Sequence, residues 1–254
     1  MSRVAFITGA SSGLGAGLAV RLAGDGYAVA LTARRSHRLT EVAETIRHAG
    51  GTALPLACDV REPAQVKAAV EAAVDDLGPI DLLVANAGIS IMTRVDAFSA
   101  AAVEDVLRTN FLGAVYAVEA VLPSMLERGS GHLVAMGSLA GYGGLPKSAA
   151  YSASKGALHN FFESLRLDLR GAGVAVTVIT PGYVKTELTD KADHRMPLLL
   201  ELEDAVERMA RGIEGREALV AFPLPLFAAA WTAQALPAAI YDRIASRVRR
   251  EKKE

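Results

Sequence analysis

Tyr151 and Lys155 stand four residues apart in Tyr151-Ser152-Ala153-Ser154-Lys155, with Ser138 thirteen residues upstream. Residues four apart share one face of a helix, one above the other. An ammonium beneath a phenol stabilises the phenolate, so this spacing predicts a Tyr pKa drawn from its ordinary value of about 10 toward working pH. A Tyr tuned in this way can pass a proton to or from an alcohol or ketone oxygen. A nearby Ser hydroxyl could hold that same oxygen. Taken alone, the pair is weak evidence and reads more readily as two surface helix residues, and the start of the chain decides the matter.

Residues 3–8 form a short apolar, β-branched run of the kind that makes a buried parallel strand. Thr8-Gly9-Ala10-Ser11-Ser12-Gly13-Leu14-Gly15 follows at once, and Leu14, Leu18 and Leu22 then recur at helical spacing. Strand, glycine turn and helix together predict a phosphate loop. Glycines allow a tight turn and close backbone approach to a pyrophosphate, and the helix amino terminus offers unpaired N–H groups. The spacing is Gly-x-x-x-Gly-x-Gly, not the commoner Gly-x-Gly-x-x-Gly.

In these motifs the chain resembles the single-domain short-chain dehydrogenases/reductases. The matching residues are Thr8-Gly9-x-x-x-Gly13-x-Gly15, Asp59-Val60, Asn86-Ala87-Gly88, Asn110, Ser138, Tyr151-x-x-x-Lys155 and Pro181-Gly182 followed by Thr186. They run in the family's order and at its spacing from residue 3 to about 222. Each is weak alone, and the ordered set is specific.

Apolar strand-like runs alternate with helical patterns almost to the end. Strands are predicted near 3–8, 28–33, 53–58, 80–85, 132–137, 174–180 and 218–222, and helices near 14–24, 36–48, 63–77, 101–127, 151–170 and 203–214. This alternation argues for βαβ units in a Rossmann-like, doubly wound α/β fold: a seven-stranded parallel sheet with helices on both faces. No composition break divides the chain, so residues 1–254 read as one dinucleotide-binding and catalytic domain. Its net charge of −1 leaves no nucleic-acid footprint, and five scattered histidines show no metal-ligand spacing. The lone cysteine, Cys58, excludes an internal disulfide framework and fits a reducing, cytoplasmic setting. Met1 leads straight into the first strand, which leaves no room for a cleaved signal peptide.

The second strand ends Ala33-Arg34-Arg35. An acid there would bind the ribose 2′-hydroxyl of NAD, whereas Arg suits the 2′-phosphate of NADP. Ala33 stands where the family's NAD-binding members carry the acid. The expectation is NADP(H), held at Arg34 and Arg35, with NAD(H) as the alternative.

The resemblance implies hydride exchange between a nicotinamide and a carbonyl or secondary alcohol. Tyr151 would be the general acid/base. Lys155 would lower the Tyr pKa and bind the nicotinamide ribose, and Ser138 would fix the substrate oxygen. It places Asp59 and Val60 near the adenine and Asn86, Ala87 and Gly88 at the cofactor edge of the sheet. Pro181, Gly182, Val184 and Thr186 would meet the nicotinamide and phosphate. Asn110 sits mid-helix by pattern, where Asn is a poor helix former, and in the family it holds a water that relays protons to the Lys. For Asn86, a task tying neighbouring loops together is an equal alternative.

The substrate wall is drawn from Tyr142, Leu145, Tyr183 and Leu188, with Ile89, Leu139 and Met196 beside them. These are mostly apolar, so the expected substrate is hydrophobic. Residues 187–215 read as a substrate lid and a following helix. Residues 218–241 are strongly apolar, with Pro223, Pro225 and Pro237 against one continuous helix, and a basic end follows. Three readings stand for this tail. It caps the pocket or packs between subunits, it lies on the inner membrane surface, or, last, it spans the bilayer. Family resemblance implies a homodimer or homotetramer built on the helices that carry Asn110 and Tyr151. The rival to an enzyme is a redox-silent sensor or scaffold on the same fold. An epimerase would need a larger substrate domain.

Overall fold

The computed structural model describes residues 2–190 and 196–250. Its elements run β1 (Val4–Thr8), α1 (Gly13–Gly24), β2 (Ala28–Ala33), α2 (Ser36–His48), β3 (Thr52–Ala57), α3 (Pro63–Leu77) and β4 (Ile80–Ala85). After these come α4 (Ala100–Leu107), a π-helical turn (Arg108–Leu112), α5 (Gly113–Glu127), β5 (Gly131–Met136), a 3₁₀ turn (Leu139–Tyr142), α6 (Ala149–Asp168) and β6 (Val174–Pro181). The chain then adds α7 (Glu187–Asp190), α8 (Leu202–Glu214), β7 (Leu219–Phe222), α9 (Leu224–Ala233) and α10 (Ala238–Arg250).

All seven strands are parallel, in the order β3-β2-β1-β4-β5-β6-β7. The fold is the doubly wound α/β sheet that the sequence pattern predicts. β1, β2 and β5 are buried along their whole length, because helices cover both faces. Strand side chains alternate between two cores. Ala5 and Ile7 point to the layer of α1, α2 and α8, with Leu18, Leu39 and Met209. Val4 and Phe6 point to the layer of α3, α5 and α6, with Val70, Val121 and Phe162. The edge strands β3 and β7 are only partly buried.

Three differences from the sequence reading matter. The predicted helix 101–127 is interrupted by the π turn at Arg108–Leu112, one residue wider per turn than an α-helix. Among the described residues, the whole run Ala100–Glu127 is the one helix long and apolar enough to cross a membrane. Val106, Val121 and Met125 within it are buried in the core. The tail, read as apolar and proline-broken, forms two helices with Pro237 between them. Of the expected lid, residues 191–195 lie outside the described residues. What precedes and follows them is stitched at its base: Leu200 N–H donates to Tyr183 O and Lys185 N–H to Leu200 O, both at 3.0 Å.

Candidate active site

The strand order reverses between β1 and β4. In open α/β sheets ligands bind in the crevice at the carboxyl ends of the strands, at such a switch point. The residues singled out from sequence converge on this edge.

The glycine loop is held from below by β4. Asn86 Nδ2 donates to Thr8 O at 2.8 Å and to Gly9 O at 3.1 Å. Thr8 Oγ1 accepts from the Asn86 and Ala87 amides, each at 3.0 Å. Gly9 has φ +68, and a Cβ there would stand 2.7 Å from Ala87 Cα. A Cβ on Gly15 would stand 2.4 Å from Asn86 Nδ2. Both positions therefore need glycine. Asn86 ties the loop to the next strand, which was one of its two sequence readings.

Above the loop the first turn of α1 has no side-chain cap, so its amide groups are available to an anion. Arg35, not Arg34, lies across it: its guanidinium donates to Ser12 Oγ at 2.6 Å and Ser11 Oγ at 3.0 Å. Arg35 also pairs with Glu187 of α7 at 3.1 Å, and Arg38 pairs with the same carboxylate. Arg34 is exposed. Past β3, Arg61 clamps both carboxylate oxygens of Asp59, Oδ1 at 3.1 Å and Oδ2 at 2.7 Å, and holds that carboxyl below the usual range. Sequence reasoning missed Arg61. Its signal was Asp59-Val60-Arg61, a side chain two residues from a predicted adenine contact.

The chemical trio sits at the same edge. Ser138 follows β5 and caps the 3₁₀ turn, its Oγ accepting from Ala140 N at 3.1 Å. Tyr151 and Lys155 lie on α6 with the Lys155 ammonium 5.8 Å from the Tyr151 ring centre. Lys155 is buried and donates to Met136 O at 2.6 Å. Burial pushes the Lys155 ammonium down to about 8. Burial also pushes the Tyr151 phenol up, and its hydrogen bond with Ser138 opposes that rise. This corrects the sequence expectation of a lowered Tyr. The ammonium is aimed at a backbone carbonyl, and desolvation of the phenol outweighs the lowering by Ser138.

Asn110 lies within the π turn, where the widened backbone turns its amide inward. Its Oδ1 accepts from Ile89 N at 2.8 Å, while Nδ2 donates to Ile89 O and Ser154 Oγ, each at 3.0 Å. Ser154 Oγ in turn donates to Tyr151 O at 2.8 Å. Asn110 thus joins the loop after β4 to the helix of the trio. A Cβ on Gly88 would come within 3.4 Å of Asn110 Oδ1 and 3.5 Å of Lys155 Nζ. The bare backbone there keeps space open beside the ammonium.

His159, one turn beyond Lys155, was not foreseen. Its Nε2 accepts from the Ser138 amide at 3.3 Å and lies 3.5 Å from Thr180 Oγ1. Its ring packs on Tyr142 at 4.9 Å. Burial, helped by Lys155, pushes it down to about 4, so it is neutral at ordinary pH. The spacing Tyr151, Lys155, His159 along one helix face was the available signal.

On the substrate side, Tyr142 packs edge-on against Phe227 of α9 at 5.6 Å, and Leu145 and Tyr183 are half-buried. Pro223 and Leu226 close on Gly182, and Tyr241 of α10 donates to Gly144 O at 2.9 Å. The tail is therefore folded onto the loops that carry the expected wall. Val184 is buried and bridges to Leu200; Thr186 N–H donates to Thr189 Oγ1 at 2.9 Å. The side chain of Leu188 lies outside those described. No cluster of metal-binding side chains occurs among the described residues.

The profile of the family described as short chain dehydrogenase matches residues 3–197. An uncharacterized oxidoreductase of Myxococcus xanthus is 44% identical over 247 residues, spanning 97% of this chain and 98% of that one. A short-chain dehydrogenase/reductase from Burkholderia phymatum, solved in complex with NAD, superposes with a TM-score of 0.85 at 25% identity over 100% of this chain and 97% of that one. An actinorhodin polyketide ketoreductase variant solved with NADPH superposes with a TM-score of 0.82 at 30% identity, covering 89% of this chain and 97% of its own. A parallel sheet with a glycine loop at its switch point, a Ser/Tyr/Lys trio at the same edge and these likenesses lead to one conclusion: the chain belongs to the short-chain dehydrogenase/reductase family, and it is a dehydrogenase/reductase enzyme that takes a nicotinamide cofactor.

Proposed function

We propose that this enzyme uses NADP(H) to interconvert a carbonyl and a secondary alcohol on an apolar substrate, with Tyr151 as the proton carrier. The observation that carries the reading is the gathering of Ser138, Tyr151 and buried Lys155 at the crevice, with the Lys155 ammonium 5.8 Å from the Tyr151 ring centre. When bound, nicotinamide supplies or accepts the hydride. The chain does the rest. The loop from Gly9 through Ser11, Ser12, Gly13 and Leu14 to Gly15 holds the pyrophosphate. Asp59, steadied by Arg61, and Val60 border the adenine. Ala87, Gly88, Pro181, Gly182, Val184 and Thr186 line the nicotinamide end.

Ser138 holds the substrate oxygen and Tyr151 gives it a proton in reduction or takes one in oxidation. Lys155 orients ribose and keeps positive charge near the phenol, and Asn110 fixes α6 relative to the loop after β4. Tyr142, Leu145 and Tyr183 form the wall, closed by the inner face of α9. A cytoplasmic setting suits the lone thiol of Cys58, which burial pushes up to about 11. A homodimer or homotetramer would use α4, α5 and α6.

A silent sensor on this fold is the weaker reading. Burying an ammonium so deep that its pKa falls to about 8 works against stability, and a module that only binds needs no such group.

Titration with NADPH and with NADH, followed by nicotinamide fluorescence, tests the cofactor. Arg35→Ala should weaken NADPH binding about tenfold more than NADH binding, the loss of one guanidinium–phosphate pair. Arg34→Ala should do less. Equal or tighter binding of NADH by the unaltered protein overturns the preference. Consumption of NADPH on adding apolar ketones would support the activity, and its absence across charged and apolar carbonyls alike would overturn it.

A further inference from the structure

We propose that α9 and α10 dock in the plane of an anionic membrane surface. The ten residues of α9, Leu-Pro-Leu-Phe-Ala-Ala-Ala-Trp-Thr-Ala, include no charge. Its inner side is seated on the body through Phe227 and Leu226. Its outer side is apolar as well. Leu224, Ala228, Trp231 and, just past the helix, Ala235 recur at helical spacing, and all four are exposed. Leu224 is 68% exposed and Trp231 59%. A surface helix that met only water would carry polar residues along that stripe.

The next helix adds the second half of the pattern. On α10, Ile240 and Ile244 are one turn apart and each 49% exposed, while Tyr241 anchors the helix to Gly144. From Ala238 to Glu254 the sequence holds Arg243, Arg247, Arg249, Arg250, Lys252 and Lys253 against Asp242, Glu251 and Glu254, in a chain whose net charge is −1. Apolar side chains with a tryptophan, followed at once by a concentrated run of cations, complement an anionic lipid surface.

A membrane span is excluded by length. The ten residues of α9 rise only about 15 Å, half of the hydrocarbon core, before Pro237 breaks the run. A second copy is a poorer occupant of the stripe, since pairing two tails would bring the cation runs together. A lipid surface takes both the apolar stripe and the charge.

Trp231 is the only tryptophan, so its emission reports the stripe directly. The full chain would be mixed with vesicles of phosphatidylglycerol and phosphatidylcholine, and separately with pure phosphatidylcholine. We expect a blue shift and co-sedimentation with the anionic vesicles, at least about tenfold weaker binding to the neutral ones, and release near 0.5 M salt. The double variant Leu224→Glu, Ile244→Glu should weaken vesicle binding at least about tenfold. Both side chains are exposed, so its melting temperature and nucleotide binding should be unchanged. Protein left in the supernatant with unmoved Trp231 emission overturns the proposal. So does equal binding to both vesicle types. A blue shift that rises with protein concentration in the absence of lipid also overturns it, giving the stripe to a second copy. None of these readouts depends on turnover or on the identity of the substrate.

Discussion

At the glycine loop the chain meets its neighbours through backbone, whereas around the substrate wall it meets them through side chains. Asn86 reaches two carbonyls of the loop, and neither Gly9 nor Gly15 has room for a single added carbon. Across the crevice, Gly144 has nothing within 4 Å of where its Cβ would stand. The wall there is made by Tyr142 against Phe227 and by Tyr241 reaching a carbonyl. Backbone contact admits one residue type at each position. Side-chain contact admits any residue of suitable size and polarity. The first region therefore writes a motif into the sequence, and the second leaves only a composition.

Tyr151→Phe should separate the regions most sharply. Removing one hydroxyl leaves the glycine loop untouched, so nucleotide affinity should hold within about twofold. Turnover should fall about a thousandfold, within the range of a lost general acid. Single-turnover rates and nucleotide titration on the same sample measure both. Full turnover would remove Tyr151 from the chemistry.

Adding one methyl group to each region sharpens the contrast. Gly15→Ala places a carbon 2.4 Å from Asn86 Nδ2 and 2.5 Å from Gly9 O, so the loop must shift. A displacement near 1 Å misplaces the cofactor, so turnover should fall about a hundredfold, with weaker binding of either nucleotide. The same change at Gly144 should alter stability by less than about 0.5 kcal/mol and affinity not at all. Equal effects at the two positions would end the comparison.

The same distinction explains what could be read from the sequence. Every strand fell within one or two residues of its predicted place, because buried parallel strands are continuous apolar runs. The glycine loop was legible for the reason just given, whereas Tyr151 and Lys155 were legible as neighbours because residues four apart share one face of α6. The π turn was not, since one extra residue in a helical turn leaves the apolar spacing almost unchanged; the misplaced Asn110 was its only trace. The behaviour of Tyr151 was misread because helical spacing fixes which side chains are neighbours but not how dry they are. Arg35 and Arg34 are adjacent, and nothing local tells which one turns toward Ser11 and Ser12. The tail showed its prolines and its apolarity, but its contacts with Tyr142 and Gly182 are long-range.

His159 stands where the two regions join, and it offers a smaller test. Its Nε2 accepts from the Ser138 amide, so it acts as a neutral ring that holds the Ser138 turn. His132 is its counterpart away from the crevice. Thr177 Oγ1 spends its one proton on Glu217 O at 2.6 Å, so His132 Nε2 must donate to Thr177, at 2.8 Å. Burial pushes both rings down to about 4 from an ordinary 6.5. As pH falls below 6.5 the unfolded chain takes up protons that the folded one refuses, so each ring's contribution to stability is full above 6.5 and shrinks down to about 4. At about pH 5 each should have cost about 2 kcal/mol, read as a shifted denaturation midpoint. Gln at either position removes that slope, because an amide does not titrate in this range. The two should differ in turnover. His132→Gln should leave it unchanged at all pH values. His159→Leu, which strands the Ser138 amide, should lower kcat about tenfold with little change in nucleotide affinity, and His159→Gln, whose amide oxygen can accept the same hydrogen bond, should restore most of it. If His132 and His159 variants lose turnover equally, His159 contributes only to the fold, and the Ser138 turn is held by the bonds from Ala140 and Gly141.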